Sequence, residues 1–539
     1  MFSRNGKSVK NDEKGKIQKK MKSKTRKNKA ARTKIYVSRF AIILLSIILQ
    51  AVGMWAVLFL LGQTTPIVYS VAVSVLSGII TVAIINKDQS ACYKLPWVIL
   101  ILLFPYGGIM MYLTFGNVKM SKRQMKKYCA IYTEHHDEYY RQDEVLNRLS
   151  EEGGKGKAIV GYLRYATAFP VFDNSTAEYV KCGYKFFNSL KEEIQKAEKY
   201  VFLEYFIIDE GVVWGEIEEL LLKKQSEGVK VYIMYDDVGS MPKVSPDFYK
   251  ELCKKGFDAR KFHKFIPVVS VSHNNRDHRK IAVIDGKVGF MGGANIADEY
   301  ANITRPYGRW LDCSVKIKGQ AVDSLVRLFI QLFNMCGGKT LAEEDFICPK
   351  HAMYDDGYIF PFGDSPAPIT EEHIGENVYL DMINRSDKYL YIATPYLIVD
   401  TNITTAIKNA ARRGVDVRIF IPQIPDKKMI YMMTRSSCIS LMSAGVKVYA
   451  YRNGFLHSKC FLSDDDSAVI GTINLDFRSL VHHFECGAFF YKNSLLNDIY
   501  ADFSYLIDRE CDLLSPEDIK LKPYEKVVKS ILAFLAPLM

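Results

Sequence analysis

The chain is predicted to be an α/β protein of two lobes related by a pseudo-twofold axis and preceded by N-terminal transmembrane helices. Three observations predict it. The order strand, helix, strand recurs in two halves of the sequence, which argues for α/β units with a parallel or mixed sheet. One pattern, HxKxxxxD, occurs twice in matched surroundings, and three apolar stretches precede both copies.

Residues 1–39 form a basic tail, with fifteen Lys and Arg against Asp12 and Glu13, a net charge of +13. The whole chain carries +12, so everything after Arg39 is close to neutral. An enzyme acting on nucleic acid is expected to carry its excess of Lys and Arg on the binding lobe, because phosphate neutralisation dominates that affinity. No nucleic-acid partner is therefore expected. A basic tail beside a membrane segment suits anionic lipid headgroups, at about 1 kcal/mol per basic residue near the surface, and equally serves to set orientation.

Residues 40–115 hold the apolar stretches 40–61, 67–85 and 97–113. The first two suit a span of about 20 apolar residues, and the tail ahead of them excludes a secretory signal. The third contains Pro105 and the Gly107-Gly108 pair and follows Pro96, so it either spans with a break or dips back. Basic residues mark the cytoplasmic side, and both the tail and Lys119, Lys122, Arg123, Lys126 and Lys127 ask for it. Two spans with a re-entrant third stretch satisfy both flanks. The expectation is a multi-pass cell-membrane protein with a cytoplasmic catalytic domain, whereas three spans would place that domain outside. Eleven cysteines without a CxxC pair point to a reduced compartment in the same way.

Residues 116–168 read as a connector, 169–341 as the first lobe, 342–372 as a linker marked by Pro349, Pro361, Pro366 and Pro368, and 373–539 as the second lobe. In the first lobe a strand is expected over 200–208, a helix over 213–227 and a strand over 228–235. The second lobe repeats them over 389–398, 402–413 and 414–421. At the end, 524–539 aligns Val527, Val528, Ile531, Leu532 and Leu535 on one helical face, suited to core packing or to a membrane surface.

The first motif is His278, Lys280 and Asp285, and the second is His457, Lys459 and Asp464. Each runs through an apolar strand into a glycine-led turn, and Asn295 and Asn474 stand fifteen residues past their lysines. Side chains two apart on a strand share a face, so each imidazole and ammonium can meet one substrate oxyanion. A single HxK is as readily a partly buried histidine beside a solvated lysine, but two copies in one register are not. The chemistry that fits is phosphoryl transfer through a covalent histidine. One imidazole attacks phosphorus, the other protonates the leaving alkoxide, and two lysines stabilise the oxyanion, with no metal or other cofactor required. The second nitrogen of each histidine needs an acceptor, and Asp312 and Glu485 follow the two asparagines at comparable places. Glu204, Tyr205, Asp236 and Asp426 are further candidates, equally suited to strand ends or loops.

These residues make the chain resemble the phospholipase D superfamily, whose signature is the duplicated HxKxxxxD followed by a GG or GS turn and Asn. Within it the flanks are most similar to bacterial cardiolipin synthases: Asp236-Asp237-Val238-Gly239-Ser240, Trp310-Leu311-Asp312 and Gly454-Phe455-Leu456-His457. The resemblance implies two phospholipase D-like α/β/α sandwich lobes. It implies phosphatidylglycerol as substrate, cardiolipin and glycerol as products, and a structural or charge-balancing role for Asp285 and Asp464. It also favours His278 as the nucleophile. Residues alone reach a phosphodiester transferase acting at a bilayer, and leave open whether water or a lipid alcohol completes the reaction.

Overall fold

The computed structural model describes residues 67–87, 91–113, 128–131, 144–181, 183–263, 275–349, 351–354, 356–367, 369–370 and 372–535, with single positions at 52, 55, 59 and 126. The basic tail and nearly all of the 40–61 stretch lie outside the described residues.

The first lobe is built on a mixed sheet of seven strands: β1 (Ser175–Lys181), β2 (Tyr200–Tyr205), β3 (Lys230–Asp236), β4 (Asp258–Phe262), β5 (Lys280–Ile284), β6 (Val288–Gly292) and β8 (Cys313–Gly319). Their spatial order is β1-β8-β6-β5-β2-β3-β4. The short strand β7 (Arg309–Leu311) stands apart from it. The second lobe uses β9 (Tyr358–Asp364), β10 (Tyr389–Ala393), β12 (Asp416–Pro422), β13 (Lys447–Tyr451), β15 (Cys460–Ser463), β16 (Ser467–Gly471), β18 (Glu485–Tyr491) and β19 (Cys511–Leu513). Read from the other edge, its order is β9-β18-β16-β15-β10-β12-β13-β19. Strand for strand this is the first sheet again, with β19 added at the edge. The pairing sense repeats as well: β2 is parallel to β3 and antiparallel to β5, as β10 is to β12 and β15.

The expected strand–helix–strand units are present in both lobes, with helices Val212–Ser226 and Thr401–Arg412 between the parallel strands. In the second lobe the single strand expected over 389–398 is divided into β10 and β11 (Leu397–Ile398) by a break at 394–396. The two sheets share an apolar core. Helix Val322–Met335, buried over most of its length, brings Phe329 onto Phe202 of the first sheet and packs against β9 of the second.

The stretch expected to link the lobes instead contains β9, whose seven residues are all buried. Proline suggested a linker, yet β9 is an edge strand, the place where a sheet tolerates Pro361. Part of the expected connector also belongs to the folded body. Helices Glu144–Glu152 and Gly156–Thr167 bury Leu149, Ile159, Val160 and Leu163 in the shared core.

No helix among the described residues is long and apolar enough to cross a membrane, so the predicted transmembrane helices are not found there. The 67–85 stretch is the helix Ile67–Ile85, uncharged over 19 residues. At 1.5 Å per residue its length is about 28 Å, just under a hydrocarbon layer of about 30 Å. The third stretch falls in two helices, Ala91–Leu103 and Pro105–Met111, broken at Phe104 just before Pro105, whereas Pro96 is accommodated within the first. The C-terminal helix Pro523–Leu535 buries Leu532 but leaves Val527, Val528 and Ile531 exposed, so its apolar face is only partly packed.

The motif aspartates form the hairpin turns. Asp285 and Asp464 have φ of 53° and 54°, a left-handed conformation that aspartate tolerates. The Asp285 carboxylate accepts the backbone N–H groups of Glu198, Lys199 and Tyr200 at 2.7, 2.8 and 2.8 Å. Asp464 accepts those of Asp387, Lys388 and Tyr389 at 2.7, 2.7 and 2.9 Å, and the Lys155 ammonium. Each aspartate thus fastens the far end of its motif strand to the start of the neighbouring strand. Asp285→Ala strands three backbone donors, that of Tyr200 buried and those of Glu198 and Lys199 half-buried, and is expected to cost about 2–4 kcal/mol of stability. Asp285→Asn, which keeps one acceptor, should lose less. Thermal unfolding of both variants beside the unmodified chain checks the order.

Candidate active site

The two histidine motifs meet at the seam between the lobes, and each is held by the opposite repeat. The His278 backbone N–H donates to the Phe484 carbonyl at 2.9 Å, and the His457 N–H to the Leu311 carbonyl at 2.7 Å. Strand β14 (Gly454–Leu456), which leads into His457, pairs in parallel with β7 of the first lobe. The residue after each acceptor carbonyl is a carboxylate. His278 Nδ1 lies 2.9 Å from Glu485, and His457 Nδ1 lies 2.7 Å from Asp312. Both carboxylates are buried, and the pairing is crossed: the carboxylate downstream of one motif lies against the histidine of the other.

A carboxylate on Nδ1 fixes the tautomer and presents Nε2 as the free nitrogen. Thr472 donates its hydroxyl to Glu485 at 2.5 Å, and the Cys313 backbone N–H donates to Asp312 at 2.8 Å. Burial depresses the basicity of both imidazoles, reinforced by the two lysines. His457 falls to about 4, against the opposing pull of Asp312, and His278 well below the ordinary range. Asp312 is held below its usual range, because His457 and Lys459 outweigh its burial. Both histidines are therefore neutral in the free site.

Lys280 and Lys459 are 2 % and 1 % exposed. Burial, helped by their mutual repulsion in the case of Lys280, lowers their pKa to about 7 and about 8. The Lys280 ammonium donates to the His278 carbonyl at 2.5 Å, and Lys459 to that of His457. Two imidazoles and two ammonium groups thus line the seam, with the Glu485 and Asp312 carboxylates behind the imidazoles, so the cations are placed to meet an anionic ligand such as a phosphodiester.

The supporting asparagines are structural cross-links. Asn295 accepts the Ile207 N–H at 3.0 Å and donates to the Tyr300 hydroxyl at 2.6 Å, and Asn474 donates to Ser479 at 3.1 Å. Asp236, one of the further candidates, is fully buried and accepts from Val238, Gly239 and Asp277, which holds the chain just before His278. Asp426 accepts the Tyr396 hydroxyl at 2.6 Å. Glu204 and Tyr205 are buried, and burial, followed by the neighbouring Asp277 carboxylate, pushes Glu204 well above the carboxylate range. Asp285 and Asp464 sit at the opposite ends of their strands from the histidines.

Two residues at the site escaped the sequence reading. Trp310 and His483 occupy equivalent places, each two residues before its carboxylate. The Trp310 ring lies 5.2 Å from that of His457, and the His483 ring 5.3 Å from that of His278. The signal available was this offset from Asp312 and Glu485, legible only once the two repeats are superposed. His278, His483 and Glu485 also bring a ligand atom each within 4.8 Å of one another.

Known proteins share this arrangement. The model described as "Cardiolipin synthase, PLD-like domain" matches residues 190–317 and 379–507, and that of "Phospholipase_D-nuclease N-terminal" matches 75–117. An uncharacterized protein of Streptococcus mutans is 38% identical, covering 85% of this chain and 98% of its own. A cardiolipin synthase of Halalkalibacterium halodurans is 32% identical over 87% of this chain and 94% of its own. The crystal structure of a Haemophilus influenzae phosphatidylserine synthase superposes with a TM-score of 0.55 at 15% identity, covering 71% of this chain and 97% of that one, a likeness of fold. Two matched repeats, two crossed histidine–carboxylate pairs and this similarity along most of the chain place it in one family: the chain belongs to the cardiolipin synthase family of the phospholipase D superfamily.

Proposed function

We propose that this chain is a membrane-bound cardiolipin synthase that transfers a phosphatidyl group from one phosphatidylglycerol to another. The observation that carries the reading is the pair of neutral, carboxylate-oriented histidines flanked by two buried lysines. His278 Nε2 attacks phosphorus, and the bond to the glycerol oxygen breaks. His457 supplies the proton that the departing glycerol takes. The primary hydroxyl of a second phosphatidylglycerol then gives its proton to His457 and attacks the phosphatidyl-histidine, which releases cardiolipin and restores His278. Glu485 and Asp312 stabilise the imidazolium that forms on each ring in turn. Lys280 and Lys459 neutralise the non-bridging oxygens. An arriving phosphodiester anion raises the basicity of His457, so its protonation accompanies binding.

The membrane reading is part of this proposal. The 40–61, 67–85 and 97–113 stretches act as membrane segments, with the tail and the catalytic lobes on the cytoplasmic side. In support, Val71, Val75, Ile79 and Val82 of helix Ile67–Ile85 all face outward. Tyr93, at the start of the next helix, packs edge-on against Phe477 and His482, beside the site. A lipid substrate would reach the histidines from that side.

Purified chain in mixed micelles with labelled phosphatidylglycerol is expected to yield cardiolipin and free glycerol. His278→Ala should abolish both. Phosphatidic acid as the main product would identify a hydrolase instead, and a labelled phosphohistidine retained in His278→Ala but lost in His457→Ala would reverse the assignment of nucleophile. The lysines set a further expectation. Their charged forms are lost as pH rises through about 7 to 8, so kcat/KM should fall on the alkaline side of that range. Lys280→Arg, which stays charged and removes the lower of the two titrations, should carry the onset of the decline to about pH 8. A profile flat to about pH 9 in the unmodified enzyme would remove the lysines from this role.

A further inference from the structure

The His278 flank holds a group that this reaction leaves idle. His483 is 8 % exposed, and neither of its ring nitrogens has a hydrogen-bond partner. Its Nδ1 lies 3.5 Å from Glu485 Oε1. His278 Nδ1 lies 2.9 Å from the same carboxylate. Leaving a buried polar group unpaired costs about 1–3 kcal/mol, and an imidazole with two idle nitrogens asks for a ligand that supplies the missing partner.

The donor set says which ligand. Two imidazoles and a carboxylate suit a borderline transition ion such as zinc, whereas magnesium and calcium prefer oxygen ligands. Tetrahedral bonds of about 2.0–2.2 Å place neighbouring donors about 3.3–3.6 Å apart. The 3.5 Å separation falls within that range and the 2.9 Å one just below it, and ligand atoms of all three residues lie within 4.8 Å of one another. Small side-chain shifts close the set, with a fourth position open to water or a phosphate oxygen. The His457 flank lacks this capacity, because its equivalent residue is Trp310, whose ring nitrogen is a donor without a lone pair to offer.

We propose that His278, His483 and Glu485 bind a divalent transition-metal ion of the zinc class, and that its binding arrests phosphatidyl transfer. The ion takes the lone pair of His278 Nδ1, and the ring's single proton moves by exchange with solvent to Nε2, which then has no lone pair to attack phosphorus. His278 then loses nucleophilicity at Nε2, and Glu485 is withdrawn from support of the imidazolium. The arrest rests on the function proposed above, while the binding does not.

Cobalt(II) tests the site directly. Full-length protein in detergent, stripped with a chelator, is expected to take up one equivalent with the visible absorption of a tetrahedral nitrogen–oxygen site, displaced by zinc and absent in His483→Phe. Zinc should inhibit cardiolipin formation reversibly, with the half-inhibitory concentration at least about tenfold higher in His483→Phe, each protein normalised to its own metal-free rate. Magnesium should have no such effect. An unmodified chain without the tetrahedral band overturns the proposal whether or not the variant folds, as does an unchanged band or unchanged zinc sensitivity in a folded variant. A band in a chain that makes no cardiolipin would leave the metal site standing and remove the proposed function.

Discussion

The crossed exchange between repeats is the constraint on which the site depends. Each histidine gives its backbone N–H and its Nδ1 to the other half of the chain, through Phe484 and Glu485 or through Leu311 and Asp312. Neither half can orient its own histidine. Arg279, 1 % exposed and set between His278 and Lys280, adds a bond from its guanidinium to the Glu485 carbonyl at 3.0 Å and another to the Leu328 carbonyl at 3.2 Å. Assembly of the lobes and assembly of the chemistry are one event.

The same seam creates the electrostatics. Removing Lys280 and Lys459 from water makes their charges costly, and the two oppose each other across the cleft. Burial lowers their basicity, and an anion bound between the histidines would raise it. The imidazoles respond in the same sense, neutral without an anion and more basic with one. A phosphodiester is thus bound and activated by one set of forces.

The pseudo-twofold is strict in the backbone and relaxed in the side chains. Sheet order, pairing sense, hairpin aspartates and histidine–carboxylate pairs all repeat. Trp310 and His483 do not, so the His457 flank carries Trp310, Tyr300 and Phe455, whereas the His278 flank carries Phe206 and a second imidazole, His483. A phosphatidyl transfer has unlike partners on its two sides, and unlike flanks in a duplicated site are consistent with that.

Much of the fold and of the site was legible in the sequence, because period-2 and helical patterns are local and the HxKxxxxD register is covalent spacing. The alternating units, the motif groups and the two carboxylates could all be read there. That Glu485 serves His278 and Asp312 serves His457 was not legible, since sequence order pairs each carboxylate with its own motif and only packing crosses them. Residue type misled at β9, where Pro361 suggested a linker but an edge position accommodates it. His483 stayed hidden because the His482-His483 pair, outside either motif, carries no signal until its neighbours in space are known. The sequence by itself determined which chemical groups are present and at what spacing along the strands. Only the tertiary structure decided which of them face one another, because the contacts that assemble the site join residues 145 and 207 positions apart.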